Sequence, residues 1–440
     1  MAKDFDQMED SNASANPSIH EVSDPSRRIL LRGGAAAALA RLVPLGTAGA
    51  AAFIAAPFVA GCAAPGAGGA TPPAIGFKGV PPSAVDRLVV PAGYTAVPFL
   101  PWGEPVGIAG RLPAFRDDAG NSADEQAVQM GMHHDGIQFF PIDGNPARGL
   151  LVMNHEYVDD GLLHAGGMEP WTAEKVRKGQ AAHGISVTEV QLVGGRWQAV
   201  RPSPLARRLT AATPFALTGP AAGHRMMRTA ADPAGTTVAG TLNNCGCGLT
   251  PWGTYLSGEE NFHGYFTTAD QPTAHERRWG LSRRGWSRWW EHDERFDTVR
   301  HPNEPNRFGW VVEVDPFDPQ SVPVKRTALG RAAHEGAWVA VTKDGRAVVY
   351  SGEDARFEYI YKFVSRDKIK PGGAGVSAAR ANAELLDHGT LHVARFDADG
   401  RGRWIPMVAG QGPLIGFPDQ GEVVIKARQA ADLLGGTKMD

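Results

Sequence analysis

Val187-Thr188-Glu189-Val190-Gln191-Leu192-Val193, then Gly194-Gly195, then Arg196-Trp197-Gln198-Ala199-Val200, is the stretch that decides the fold. Two short strand-like runs flank a glycine pair, and that pair supplies the positive φ angles a two-residue hairpin needs. The unit recurs. Trp338 to Thr342 and Arg346 to Tyr350 flank Lys343-Asp344-Gly345, and Leu391 to Asp397 and Arg403 to Val408 flank Ala398-Asp399-Gly400. In Phe357-Glu358-Tyr359-Ile360-Tyr361-Lys362-Phe363-Val364 the aromatics fall on every second residue, hence on one face of a strand. Spaced hairpins without a strict repeat predict an all-β fold, a β-propeller with helical insertions, with a β-sandwich as the competing architecture. The expected insertions are a Trp- and Arg-rich segment at about residues 273–306 and a short helix near Arg428 to Leu434. Asp397-x-Asp399-Gly400 lacks the other ligands of a calcium loop and reads as a plain turn.

Working outward, 54 glycines and 33 prolines in 440 residues favour many strands joined by tight turns over long helices. A hydrophobic fraction of 42% and a charged fraction of 21% are those of a soluble globular protein. The net charge of −3 provides no positive field, which argues against a nucleic-acid partner. Three cysteines build no disulfide framework, and Cys245 and Cys247, two residues apart, are poorly placed to pair with each other.

Residues 1–75 read as an address. Ser26-Arg27-Arg28-Ile29-Leu30-Leu31 precedes a weakly apolar, Ala/Gly-rich run from Gly33 to Gly61, the order of a twin-arginine export signal. The competing reading is a transmembrane anchor, since Leu42 to Gly61 carries no charge. Val59-Ala60-Gly61-Cys62 resembles a lipobox, against a chance cysteine in an Ala-rich tail, and Pro65 to Pro73 reads as a Gly/Pro tether. Export would place the protein in the periplasm or outside the cell, with the twin-arginine machinery as a partner and Cys62 as a possible lipid anchor point.

Several carboxylates stand beside glycine, aromatic or histidine residues at strand ends: Glu156, Glu259-Glu260, Glu335 and Glu353-Asp354. Taken singly, each reads as a turn or surface residue. Converging at one mouth, they would make a hard-cation site, because calcium takes about 6–8 oxygen ligands and iron(III) also accepts a thiolate.

Asn243-Asn244-Cys245, followed by Thr250-Pro251-Trp252-Gly253-Thr254-Tyr255-Leu256 and Glu259-Glu260-Asn261, resembles the signature of PhoX-type alkaline phosphatases. So do Gly219-Pro220-Ala221-Ala222-Gly223-His224, Arg307-Phe308-Gly309-Trp310-Val311-Val312-Glu313-Val314-Asp315-Pro316, Gly330-Arg331-Ala332-Ala333-His334-Glu335-Gly336 and Phe357 to Ser365. The resemblance spans about Val80 to the last residue, far more than a lone short motif. It implies that residues 76–440 form the N-terminal part of a propeller phosphatase domain. That domain would act on small-molecule phosphomonoesters through an oxide-bridged iron (Fe3+) pair surrounded by Ca2+. On this resemblance Cys245 is an iron ligand and Glu335 a metal ligand, and Glu156, Glu259, Glu260, Glu353 and Asp354 extend the set. The alternative for Cys245 is a small buried hydrophobe. His224 and Arg228 are chargeable groups within reach of the motif, either phosphate-facing or simply hydrogen-bonded. The family shows no second cysteine at the position of Cys247, which reads as inert or as the partner of Cys245 in an oxidised pair.

In full-length relatives the segment ending here at Thr437-Lys438-Met439-Asp440 leads into Arg-Pro-Glu, with a phosphate-contacting arginine and a further metal ligand. The expectation is therefore an incomplete propeller, monomeric and with little or no turnover by itself. Two other readings stay open: a calcium-dependent, lactonase-like propeller hydrolase that needs no thiolate, and a non-catalytic exported propeller.

Overall fold

The computed structural model describes residues 12–23 and 76–439. The leader motifs at Arg27-Arg28 and Cys62 lie outside the described residues. Among the described residues, no helix is long and apolar enough to cross a membrane. Two compact units are present: one takes in residues 12–23 and Leu100–Asp440, and the other, Asp24–Phe99, includes the described residues 76–99. The smaller unit has no strand or helix among its described residues, and its Phe77 and Tyr94 rings meet edge to face at 5.3 Å.

The larger unit is mostly β-sheet with some helices. A first sheet carries β1 (His134–Pro141), β2 (Arg148–His155), β3 (Gly184–Val193) and β4 (Arg196–Ala199) in that order, with β5 (Arg207–Leu209) also on β3. Gly194 and Gly195 take φ of 57° and 78°, so the β3–β4 turn is the tight hairpin that its glycine pair permits. A second sheet contains β6 (Pro214–Thr218), β7 (Thr237–Ala239), β8 (Asn244–Leu249), β9 (Tyr255–Glu259), β10 (Val311–Val314) and β11 (Val324–Arg326), in the order β7-β6-β11-β10-β9-β8. Its β6–β11 pair is parallel, a crossover that a run of hairpins does not foresee. The third sheet is a pure meander of β12 (Trp338–Val341), β13 (Arg346–Gly352), β14 (Ile360–Lys368), β15 (Gly389–Phe396) and β16 (Gly402–Pro406). On the β14 stretch the alternation works as expected, since Tyr359, Tyr361 and Phe363 are all buried. None of the three sheets closes into a barrel.

The Trp-rich segment expected to be helical forms one short helix, Ala274–Arg278, and several single 3-10 turns. It folds by burying large rings rather than by helix propensity: Trp279, Trp289 and Phe296 are in the core. The expected C-terminal helix runs Ala427–Leu434 and ends on Gly435 in the left-handed region (φ 69°). The Asp397–Gly400 turn is a plain turn, with Asp397 paired to Arg403. Pro17, Ser18 and Ile19 lie beside Lys438, where the Ile19 N–H donates to the Lys438 carbonyl at 2.7 Å.

Candidate metal centre

Six side chains from three sheets meet at one place. Asp135, Glu156 and Cys245 present ligand atoms within 4.8 Å of one another, and so do Glu260, Glu335 and Asp354. Glu260 joins the two trios, sharing hydrogen bonds with both Asp354 and Glu156.

Backbone pairing brings them there. Glu260 donates its N–H to the Asn243 carbonyl at 2.9 Å, which places it beside the Cys245 strand. The His334 N–H donates to the Glu259 carbonyl, Glu335 to Gly352 and Asp354 to Ala333, so the segments carrying Glu260, Glu335 and Asp354 lie side by side. The first sheet is tied in from the opposite direction. Asn154 Nδ2 donates to the Cys245 carbonyl, the Glu156 N–H donates to the His133 carbonyl, and Asn243 Nδ2 donates to the Glu156 carbonyl at 3.4 Å. Gly246 makes the approach possible: a Cβ there would lie 1.8 Å from the Glu335 carbonyl oxygen. Gly136 does the same for β1 against β8, since its Cβ would meet Cys247 Cβ at 2.7 Å.

The electrostatics are those of a site built for cations. Burial, then the Asp354 and Glu156 carboxylates, push the Glu260 carboxyl up to about 10. Burial, followed by Glu260, Asp135 and Glu156, pushes the Cys245 thiol up as well, and its Sγ donates to Asp135 Oδ2 at 3.3 Å. Glu260 and Cys245 thus hold their protons against the carboxylates around them, a load that bound cations would relieve. One thiol with two carboxylates suits iron, and three carboxylates suit a hard divalent ion, so the donor set fits a mixed metal site.

Glu259 and Glu353 fall outside this cluster. The Glu259 side chain is fully buried against Lys325 Nζ at 2.6 Å and accepts the N–H groups of Gly309, Trp310 and Leu242. The shielded Glu353 carboxylate pairs with Arg428 at 2.6 Å and accepts from Ala333 N–H and the Tyr361 hydroxyl. Asp135 is the member that the motif reading misses. His224 and Arg228 are engaged locally, His224 Nδ1 accepting from Met226 N–H and Arg228 donating to the Gly223 carbonyl. Cys245 and Cys247 are both free thiols. Cys247 faces a cavity of about 530 Å³ that it shares with Glu335, Trp338, Tyr350 and Ile360. A larger cavity of about 1060 Å³ involves none of the cluster residues, and its Arg326 is already paired with Glu313 and Asp387.

Residues 75–440 match the family model described as alkaline phosphatase PhoX. The chain belongs to the PhoX family. The solved structure of Pseudomonas fluorescens PhoX in complex with vanadate, a transition state analogue, is 46% identical and superposes with a TM-score of 0.78. That match covers 83% of this chain and 64% of the other, so the chain spans less than two thirds of that PhoX relative. No curated protein shows significant similarity.

Proposed function

We propose that the protein is a phosphatase that hydrolyses phosphomonoesters at alkaline pH for phosphate acquisition, exported by the twin-arginine route and using iron and calcium. The observation that carries the reading is the convergence of five carboxylates and one thiol from separate strand ends in a chain of the PhoX family. Cys245, Asp135 and Glu156 would hold Fe3+, and Glu260, Glu335 and Asp354 would hold Ca2+, with Glu260 between the two groups. The bound ions would neutralise the phosphoryl oxygens of a dianionic ester and activate the attacking oxygen. The chain's own residues supply position. Asn243, held at φ 48°, ties Glu156 to the Glu260-Asn261 segment through its carbonyl, its Oδ1 and its Nδ2. Asn261 Nδ2 donates to Asp354 Oδ2 at 3.4 Å, steadying that carboxylate. The three sheets are read as blades of a propeller, a form that gathers strand-end loops of distant sequence around one mouth.

The test is metal content, visible absorption and vanadate affinity of the purified protein loaded with Fe3+ and Ca2+. Bound iron with a thiolate charge-transfer band is expected, together with vanadate binding, and Cys245→Ala should remove all three. Iron and vanadate binding that survive Cys245→Ala unchanged would overturn the assignment of Cys245 as an iron ligand, and vanadate binding with calcium but no iron in the wild type would favour a calcium-only hydrolase.

A further inference from the structure

Each residue of the cluster has a predecessor in the chain, and for five of the six that predecessor is a polar side chain shut away from solvent. The pairs are His155-Glu156, Asn244-Cys245, Glu259-Glu260, His334-Glu335 and Glu353-Asp354, and the side chains of His155, Asn244, Glu259, His334 and Glu353 are all fully or almost fully buried. The cause is strand geometry: consecutive side chains leave an extended backbone on opposite faces. A residue that reaches the mouth therefore forces its neighbour into the packed interior, where a polar group must find partners.

Two of these neighbours are carboxylates, and each has been given a buried cation. Lys325 on β11 reaches Glu259 at 2.6 Å, donates also to the Arg307 carbonyl at 3.0 Å, and lies 3.9 Å over the Phe308 ring. Arg428, on the helix Ala427–Leu434, donates through Nε to Glu353 at 2.8 Å, donates to the Arg278 carbonyl, and stacks over Trp279 at 4.6 Å. Both cations are enclosed, at 0% and 3% exposure. Each acid is also pinned by backbone N–H groups from a third segment, Gly309 and Trp310 for Glu259 and Ala333 for Glu353. Such pairs are expensive as a source of stability alone, because desolvating both charges consumes most of their attraction. What they deliver is a fixed side-chain direction at the residue immediately before a ligand.

We infer that Lys325 and Arg428 are positioning residues. By locking Glu259 and Glu353 on the inner face, they hold Glu260 and Asp354 at the separation that a shared cation site requires. The inference rests on the metal-site reading above and extends it to residues that touch no ion. Outer partners that orient a ligand typically change metal affinity by about 10–100-fold when removed.

The experiment compares wild type with two neutral double variants, Lys325→Met with Glu259→Gln, and Arg428→Met with Glu353→Gln. Each removes the named pair; Arg428 also lies 3.7 Å from the buried Glu358, which keeps Arg278 as its partner when Arg428 is lost. Calcium and iron affinities are measured by titration, and Tm is measured with and without metal. Each double variant is expected to keep a cooperative melt while its calcium affinity falls at least about 10-fold and the metal-induced rise in Tm shrinks. An equal drop in apo and metal-bound Tm, with affinities within about 2-fold of wild type, would mean that the pairs serve the fold only. If a double variant does not fold, Glu259→Asp and Glu353→Asp decide: they keep each charge and withdraw it by one methylene. Affinity unchanged in both overturns the inference, and a graded loss sustains it. Wild-type protein that binds neither ion would sink the metal-site reading itself, and this inference with it.

Discussion

At the residue scale, Glu260 shows what the site costs when it holds no cation. Its carboxyl is pushed up to about 10 by burial and by Asp354 and Glu156, so in the metal-free protein it stays protonated at neutral pH. Glu260→Gln then replaces a neutral acid with a neutral isostere. The metal-free variant is expected to melt at or above the wild-type Tm while calcium affinity falls at least about 10-fold, as for an outer partner or more. Thermal melts and calcium titration on the same preparation check both halves, and a lower apo Tm would show that the carboxyl is ionised. Gly246 behaves in the opposite way. Its missing Cβ would sit 1.8 Å from the Glu335 carbonyl oxygen, which is backbone and has little freedom to move. Gly246→Ala should cost about 1–3 kcal/mol, as overpacking does, and should lower metal binding as well, read by denaturant titration and metal content.

At the element scale, local chemistry governs the hairpins. A Cβ added at Gly194 or Gly195 would meet nothing within 4 Å, so their glycine identity serves the backbone alone. Gly195→Val, at φ 78°, should cost about 1–2 kcal/mol through left-handed strain and leave metal content untouched, which separates it from Gly246→Ala. The same locality explains what can be read in advance. The hairpins at residues 187–200, 338–350 and 391–408 announce themselves through turn residues and alternation, which need no knowledge of the rest of the chain. The helix Ala173–Ala182 carries weaker signs, a Thr172 cap and a buried face rich in Gly, Ala and Gln, and escapes a reading by turns and alternation. The parallel β6–β11 pairing is equally out of reach, because it joins segments more than a hundred residues apart. Cys245, Glu156, Glu260, Glu335 and Asp354 are legible from motifs and do converge. The motifs offer the acid doublets whole, although strand alternation lets only one member of each face the mouth. Asp135 follows His134 as Glu156 follows His155 and Glu335 follows His334, and that repeated His-acid step is the signal that could have found it.

At the scale of the whole molecule, the interior holds histidines that must stay neutral. His183 is buried with Nδ1 facing the Gly179 carbonyl at 2.7 Å and Nε2 facing the Tyr265 hydroxyl at 2.8 Å. Burial pulls it down to about 4. His275, Nε2 facing Asn306 Oδ1 at 2.9 Å, is pulled down to about 4 by burial and then by Arg331. The two share no hydrogen-bond partner, His183 closing the helix Ala173–Ala182 with its ring against Trp289 and Tyr265 and His275 on the helix Ala274–Arg278 facing Asn306, so their effects should add. The direction follows from proton counting. An unfolded histidine titrates near 6.5 and the folded one near 4, so between these values the unfolded chain binds more protons and acid favours unfolding. The stability these groups contribute is complete above about pH 6.5 and is withdrawn as the pH falls towards 4, at about 1.4 kcal/mol per pH unit for each proton. Metal-free protein is the right sample, because acid also strips cations from carboxylates. Its unfolding free energy should fall steeply below about pH 6, where these histidines, together with His263 and His334, also pulled down to about 4, outweigh the one proton that Glu260 retains. In His183→Gln and His275→Gln the fall should be shallower by about one proton each, and shallower by about two in the double variant. Curves that stay parallel to wild type down to about pH 4 would show that these rings are charged in the folded protein, and that the interior around them is wetter than its packing indicates.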